Sequence, residues 1–225
     1  MKKYFLKTMF ALMCGCVMTM GLVACGSDDD DNNNNNQQSE QGSNTDEDWG
    51  KLQSAVVNYT ASIEGFQALK HIAVDGKVML KYIDNNGQVQ TKELTSDKFS
   101  LTVNFQRSAA GNIQAGMIVY VTDVDSAKVA EVFGRQAIKV DLKSKCVLNY
   151  EKKQGHENSF SNGEQMTFNI VEGLTDEDRA SNMSSIMREI KRNKTKFGVC
   201  AFASYCYKVD DNYLSSVGEF WRVNQ

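Results

Sequence analysis

This chain holds few side chains that could serve as nucleophile, general base or metal ligand. Its histidines are His71 and His156. His71 falls in the apolar segment Leu69–Val74, where a histidine packed in a strand is expected. His156 sits beside Glu157 in a polar stretch and precedes Cys200, an order that allows a Cys–His nucleophile and base. No HExxH, paired CxxC, P-loop, GxGxxG or GxSxG is present, so the sequence points to no metal and no cofactor. Asp84 and Asn86 are spaced as in a calcium loop, but the later acids such a loop needs are missing. The carboxylate pairs Asp123/Asp125, Asp176/Asp178 and Asp210/Asp211 fall at expected turns or helix starts, where capping accounts for them.

The order His156 before Cys200 is that of caspase-like proteases, but the residues around each do not match that family. Binding chemistry is the other prospect. Trp49, Phe202, Tyr205, Tyr207 and Trp221 can line a sugar platform, since aromatic faces stack on apolar ring surfaces. The same residues are expected in a core. Asp125-Ser126-Ala127 resembles the O-glycosylation sequon of Bacteroidetes, which implies modification at Ser126. The competing role is a plain helix start capped by Asp125.

The stronger signals concern address. Residues 1–24 carry Lys2, Lys3 and Lys7 and no acid, and an apolar run follows from Met9 to Ala24. A basic start, a short apolar run and a small residue before the break describe a secretory signal peptide. The run is shorter than the roughly 20 apolar residues of a membrane-spanning helix. Leu22-Val23-Ala24-Cys25 resembles a bacterial lipobox. The resemblance implies cleavage before Cys25 and a palmitate-type diacyl anchor on its sulfur. Two or three acyl chains hold a protein on a membrane where one does not. Ser27-Asp28-Asp29-Asp30-Asp31 resembles the acidic surface-export signal of Bacteroidetes lipoproteins. It implies an outer-membrane protein facing the cell exterior.

The segments differ sharply in charge. Formal charge is −3 over 225 residues. Residues 1–24 hold +3, residues 26–48 hold −8, and residues 49–225 hold +2. The folded part is near neutral, which argues against a nucleic-acid-binding stripe. The run of Asn, Gln, Ser, Gly and acids through Asp48 has no hydrophobe to offset the entropy of ordering, so a disordered tether is expected. Its span is on the order of 25–30 Å. Three segments follow: 1–24 signal peptide, 25–48 lipidated Cys and acidic tether, and 49–225 a single globular β-rich domain.

Once Cys25 carries lipid, Cys146, Cys200 and Cys206 remain. Cys200 and Cys206, on one straight strand, lie about 20 Å apart, too far for a bridge. Cys146 can pair with Cys200 or with Cys206, or all three can stay reduced as small buried hydrophobes.

Period-two alternation predicts strands over 57–63, 77–83, 88–94, 99–105 and 113–121. Asp84-Asn85-Asn86-Gly87 predicts a tight hairpin between the second and third. Asp125 caps a short helix to Phe133, ended by Gly134. Two strands, 137–142 and 146–150, a polar loop over 152–163 and a strand over 166–170 follow. Thr175 and Asp178 open the one long helix, with Ala180, Met183, Ile186, Met187 and Ile190 as its apolar stripe. Residues 197–209 suit a buried strand or hairpin, and 217–223 a closing strand. The fold class is mainly β: an antiparallel β-sandwich-like domain with one long late helix, the alternative being α+β with a single curved sheet.

The expected function is a surface-exposed lipoprotein acting as a non-catalytic binding or structural module. Its partner would be a glycan, a host protein or a membrane complex. The alternatives are a secreted hydrolase with an unrecognised acidic or Cys–His site, and an accessory subunit of a fimbria or outer-membrane importer.

Overall fold

The structure, a computed structural model, describes residues 48–107, 111–211 and 214–216. All of them lie in the second of the chain's two units, Glu47–Gln225. Cys25, Ser27, Asp28, Asp29, Asp30, Asp31, Trp221 and the strand expected over 217–223 lie outside the described residues.

The chain alternates long strands with short connections. Strand β1 (Leu52–Glu64) leads through Gly65 into helix α1 (Phe66–Ile72). Then come β2 (Val78–Ile83), β3 (Val89–Leu94), β4 (Lys98–Gln106) and β5 (Ile113–Val121). Helix α2 (Ser126–Val132) precedes β6 (Lys139–Tyr150), β7 (His156–Ser161) and the two-residue β8 (Glu164–Gln165). The long helix α3 (Asp176–Phe197), β9 (Cys200–Val209) and β10 (Leu214–Ser216) complete the described chain.

Two antiparallel sheets form. The first has strand order β4-β1-β6-β7. The second runs β10-β9-β5-β2-β3, with β8 also on β9. Alternation explains the layers. On β1, Leu52, Ala55, Val57, Tyr59, Ala61 and Ile63 are buried; on β6, every second residue from Val140 to Tyr150 is. They meet Val78, Leu80, Met117, Val119 and Tyr205 of the second sheet, so the core lies between two layers. Phe160 of β7 stacks on Tyr207 of β9 at 4.6 Å between ring centroids and closes one side. The arrangement is mainly β and sandwich-like, with one long late helix packed on β9.

Local chemistry sets the turns and caps. Asp84 Oδ1 accepts the Asn86 and Gln88 amides, each at 2.9 Å, and Gly87 has φ 72°, which forms the β2–β3 hairpin. Asp125 accepts the Ala127 and Lys128 amides and caps α2. Thr175 Oγ1 accepts the Asp178 amide at 3.1 Å and donates to its carboxylate at 2.7 Å, opening α3; Gly198 at φ 75° ends it. At Gly65, φ is 69° and a Cβ would stand 1.9 Å from the Ala137 carbonyl oxygen, so only glycine fits between β1 and α1.

Several expectations are corrected. Segment 66–72 is helical, and His71 is exposed on α1 rather than packed in a strand. Residues 139–150 form one unbroken strand, not two: the inward Ser144 interrupts the hydrophobic pattern but not the ladder. The loop expected over 152–163 contains edge strand β7. Phe168 and Ile170 make only isolated bridges, to Ile138 and Gly134.

Candidate functional site

The residues singled out for catalysis are dispersed. His156 lies against Trp49, ring centroids 4.6 Å apart, on the first sheet. Cys200 sits at the start of β9, where its thiol donates to Asp123 Oδ1 at 3.9 Å. The structure therefore does not join them into a Cys–His pair. His71 Nε2 and Glu131 Oε2 are 2.7 Å apart and link α1 to α2 at the surface. Each carboxylate pair has structural duties: Asp123 holds Lys194 at 2.5 Å, Asp125 and Asp178 serve helix starts, and Asp211 grips Arg107. Among the described residues no three His, Cys, Asp or Glu side chains gather as a metal site.

Cys146, Cys200 and Cys206 are buried and free. Burial pushes the Cys146 and Cys206 thiols up to about 12, and burial with Asp123 beside it pushes Cys200 up to about 11. Thiols held this far above neutrality are poor nucleophiles. Cys146 points between the sheets. Cys206 lies between Tyr205 and Tyr207, which face the first sheet, so it points the other way.

Of the aromatic residues, Phe202 and Tyr205 are core and Tyr207 is stacked beneath Phe160. They form no platform. Trp49 packs edge-on to Tyr150 at 5.3 Å, with Lys153 Nζ 4.1 Å over its ring. This cluster stands at the start of the described residues. Beside it, Arg107 makes two hydrogen bonds of 3.1 Å to the two oxygens of Asp211 and one of 3.0 Å to Leu52 O, while the Leu52 amide donates to Asp211 at 2.8 Å.

Two surfaces offer room for a partner. A groove of about 630 Å³ runs between α2 and α3, with Ala130, Met183 and Met187 in its walls and Ser126 exposed at its rim. The apolar stripe of α3 thus divides: Ile186 and Ile190 are buried, while Met183 and Met187 are only partly covered and Ala180 is exposed.

The other is the outward face of the first sheet, which no helix of the described residues covers. Register sets its side chains in rows. Thr102, Asn58, Lys145 and Ser159 stand across the four strands. The next row is Ser100, Thr60, Lys143 and Ser161, and the next begins Lys98, Ser62, Asp141. Thr102 Oγ1 donates to Asn58 Oδ1 at 2.7 Å, and Lys145 pairs with Glu157 at 2.7 Å. Near one end the face hollows into a shallow concavity of about 620 Å³. Sequence reasoning missed this face because its residues come from four strands whose order the sequence does not reveal.

No protein-family model, curated protein or solved structure matches the chain. No helix among the described residues is long and apolar enough to cross a membrane.

Proposed function

We propose that this chain is a lipoprotein of the outer membrane, held through Cys25 and turned to the cell exterior, that works as a non-catalytic binding module. The observation that supports the binding role most directly is the open outer face of the first sheet. It is a four-stranded face of mostly hydroxyl, amide, amine and carboxylate groups that no helix among the described residues covers. Preorganised polar groups on strands lose little entropy when a ligand docks. Attachment and presentation separate cleanly in this reading. Lipid on Cys25 fixes the protein, residues 26–48 give it reach, and the folded domain does the binding.

Strand addition to a partner, as an accessory subunit would use, gains no support. The edge strand β3 exposes Gln90, Thr91, Lys92 and Glu93, and β4 exposes Lys98, Ser100, Thr102 and Asn104. Polar edges carrying lysines discourage strand pairing. Ser126, exposed at the start of α2, remains the proposed glycosylation site.

The test is protease shaving of intact cells, with the released fragment screened on a glycan array. Release from intact cells and retention on the array support the reading. Release only after lysis removes the surface claim, and a blank array removes sugar binding.

A further inference from the structure

Within the concavity on the first sheet, two cations stand over a floor of hydroxyl groups. Lys98 of β4 and Lys143 of β6 line it with Thr60, Ser62, Ser100 and Asp141, beside Ala61 and Phe99. Among the described residues neither lysine has an ion-pair partner, whereas their neighbours do: Lys145 with Glu157 at 2.7 Å and Lys139 with Asp141 at 3.1 Å. The carboxylate in the hollow, Asp141, is taken by Lys139, so Lys98 and Lys143 line it without an ion pair of their own among the described residues.

Spacing follows from the register. Ser62 faces Lys98 on one side and Asp141 on the other; Thr60 faces Ser100 and Lys143. Lys98 and Lys143 are therefore two strands and one row apart, roughly 12 Å between backbones. That is about the reach of two linked sugar rings. Thr60 Oγ1 donates to Lys143 O at 3.0 Å and keeps its lone pairs for a ligand donor. Ser62 and Ser100 are exposed, with no hydrogen-bond partner for their hydroxyls among the described residues. Asp141, its charge offset by Lys139, can accept from a ligand hydroxyl.

We infer that this hollow binds an acidic polysaccharide, with Lys98 and Lys143 each taking an anionic group of the chain and the Thr60, Ser62 and Ser100 hydroxyls taking the ring hydroxyls between. The ammonium groups supply charge-assisted hydrogen bonds, the stronger kind, and the hydroxyl floor supplies the match to a hydroxyl-rich ligand. A neutral glycan would leave both ammonium groups without a counter-charge. The inference rests on the binding-module reading above and names its ligand class.

The experiment measures binding of polygalacturonate, and of the same polymer with its carboxylates methyl-esterified, to the full chain purified in detergent. Wild type should bind the charged polymer and not the esterified one. Binding should weaken as salt rises, because about 0.15 M salt screens charge beyond roughly 8 Å. K98Q/K143Q should weaken binding about tenfold or more. The same charge removed elsewhere, in K77Q/K191Q, should change nothing. S62A/S100A should weaken binding without altering its salt dependence, which separates hydroxyl recognition from mere attraction of charge. All these side chains are exposed, so an unchanged circular-dichroism melt is expected and checks the fold. Equal binding by wild type and K98Q/K143Q overturns the inference and leaves the binding-module reading standing. So does failure to bind polygalacturonate by a protein that binds neutral glycans on the array. Failure to bind any glycan takes down the inference and the sugar-binding reading together.

Discussion

The Tyr59 hydroxyl stands in the place of a backbone hydrogen bond at Gly116. The β2–β5 register pairs Tyr82 with Met117, so Ile83 and Gly116 would pair next. Instead Tyr59 reaches from β1 across the interior. Its O–H donates to Ile83 O at 3.2 Å and accepts the Gly116 N–H at 3.2 Å. One side chain thus ties the first sheet to two strands of the second. Burial pushes its phenol far above the ordinary tyrosine range, so it stays neutral and can both donate and accept. Tyr59→Phe keeps the ring and leaves a buried carbonyl and amide without partners. The expected loss is about 1–3 kcal/mol in urea unfolding. A loss below about 0.5 kcal/mol would show that the backbone groups find each other without the hydroxyl.

Arg107, just after β4, and Asp211, just after β9, tie the two sheets together beside the start of β1. The guanidinium fork matches both carboxylate oxygens, and the Leu52 backbone completes the clamp. Lysine cannot reproduce that fork. Arg107→Lys should cost on the order of 1 kcal/mol, a modest figure because both side chains are about a third exposed. Amide exchange near Leu52 should quicken more than exchange near Val119. Uniform quickening across the domain would contradict a local clamp.

Three thiols report on the core. Cys146, Cys200 and Cys206 are buried, with burial holding each above neutrality. At pH 8 an alkylating reagent should leave all three unmodified in the folded protein and modify them in denaturant, read peptide by peptide by mass spectrometry. Rapid native modification of Cys200, beside Asp123, would reopen a nucleophilic role.

Much of this fold is readable from the chain, and the exceptions share a cause. The Asp84–Gly87 hairpin, the Asp125 and Thr175 caps and the alternation of β1 and β5 are local, and local chemistry decides them. Helix α1 is not legible in the sequence because seven residues with Phe66, Leu69 and Ile72 inward give too short a period to separate from a strand. Strand β7 has one buried apolar residue, Phe160, and is a strand because β6 pairs with it. The hollow between Lys98 and Lys143 is least readable. It exists only once β4, β1 and β6 lie side by side, and register between distant strands is a tertiary fact.

Acid and alkali should act on one ion pair. Lys194 beside Asp123 holds that carboxyl below its usual 3.8, with burial opposing and the Val124 amide assisting. The same contact raises Lys194 above its usual 10.5. A depressed acid contributes stability above its unfolded value that is lost as pH falls through the folded one, so this loss falls below about pH 4. A raised lysine contributes below its unfolded value and loses that as pH rises past about 10.5. Asp123→Asn should make the stability profile less steep at both ends, the remaining slope coming from Asp48 and Asp84 in acid and from buried Tyr59 and Tyr205 in alkali. A variant that keeps wild-type pH dependence at either end would place the linkage elsewhere.

Location, reach and display all follow from the proposed lipid on Cys25. Its most direct test is mass spectrometry of the mature N-terminal peptide from membranes of the native cell, beside the Cys25→Ala variant. The account predicts a peptide beginning at Cys25 with a thioether-linked diacylglycerol, and an unprocessed, unacylated chain from the variant. A wild-type mature peptide that begins elsewhere, or a bare Cys25 thiol, would contradict it.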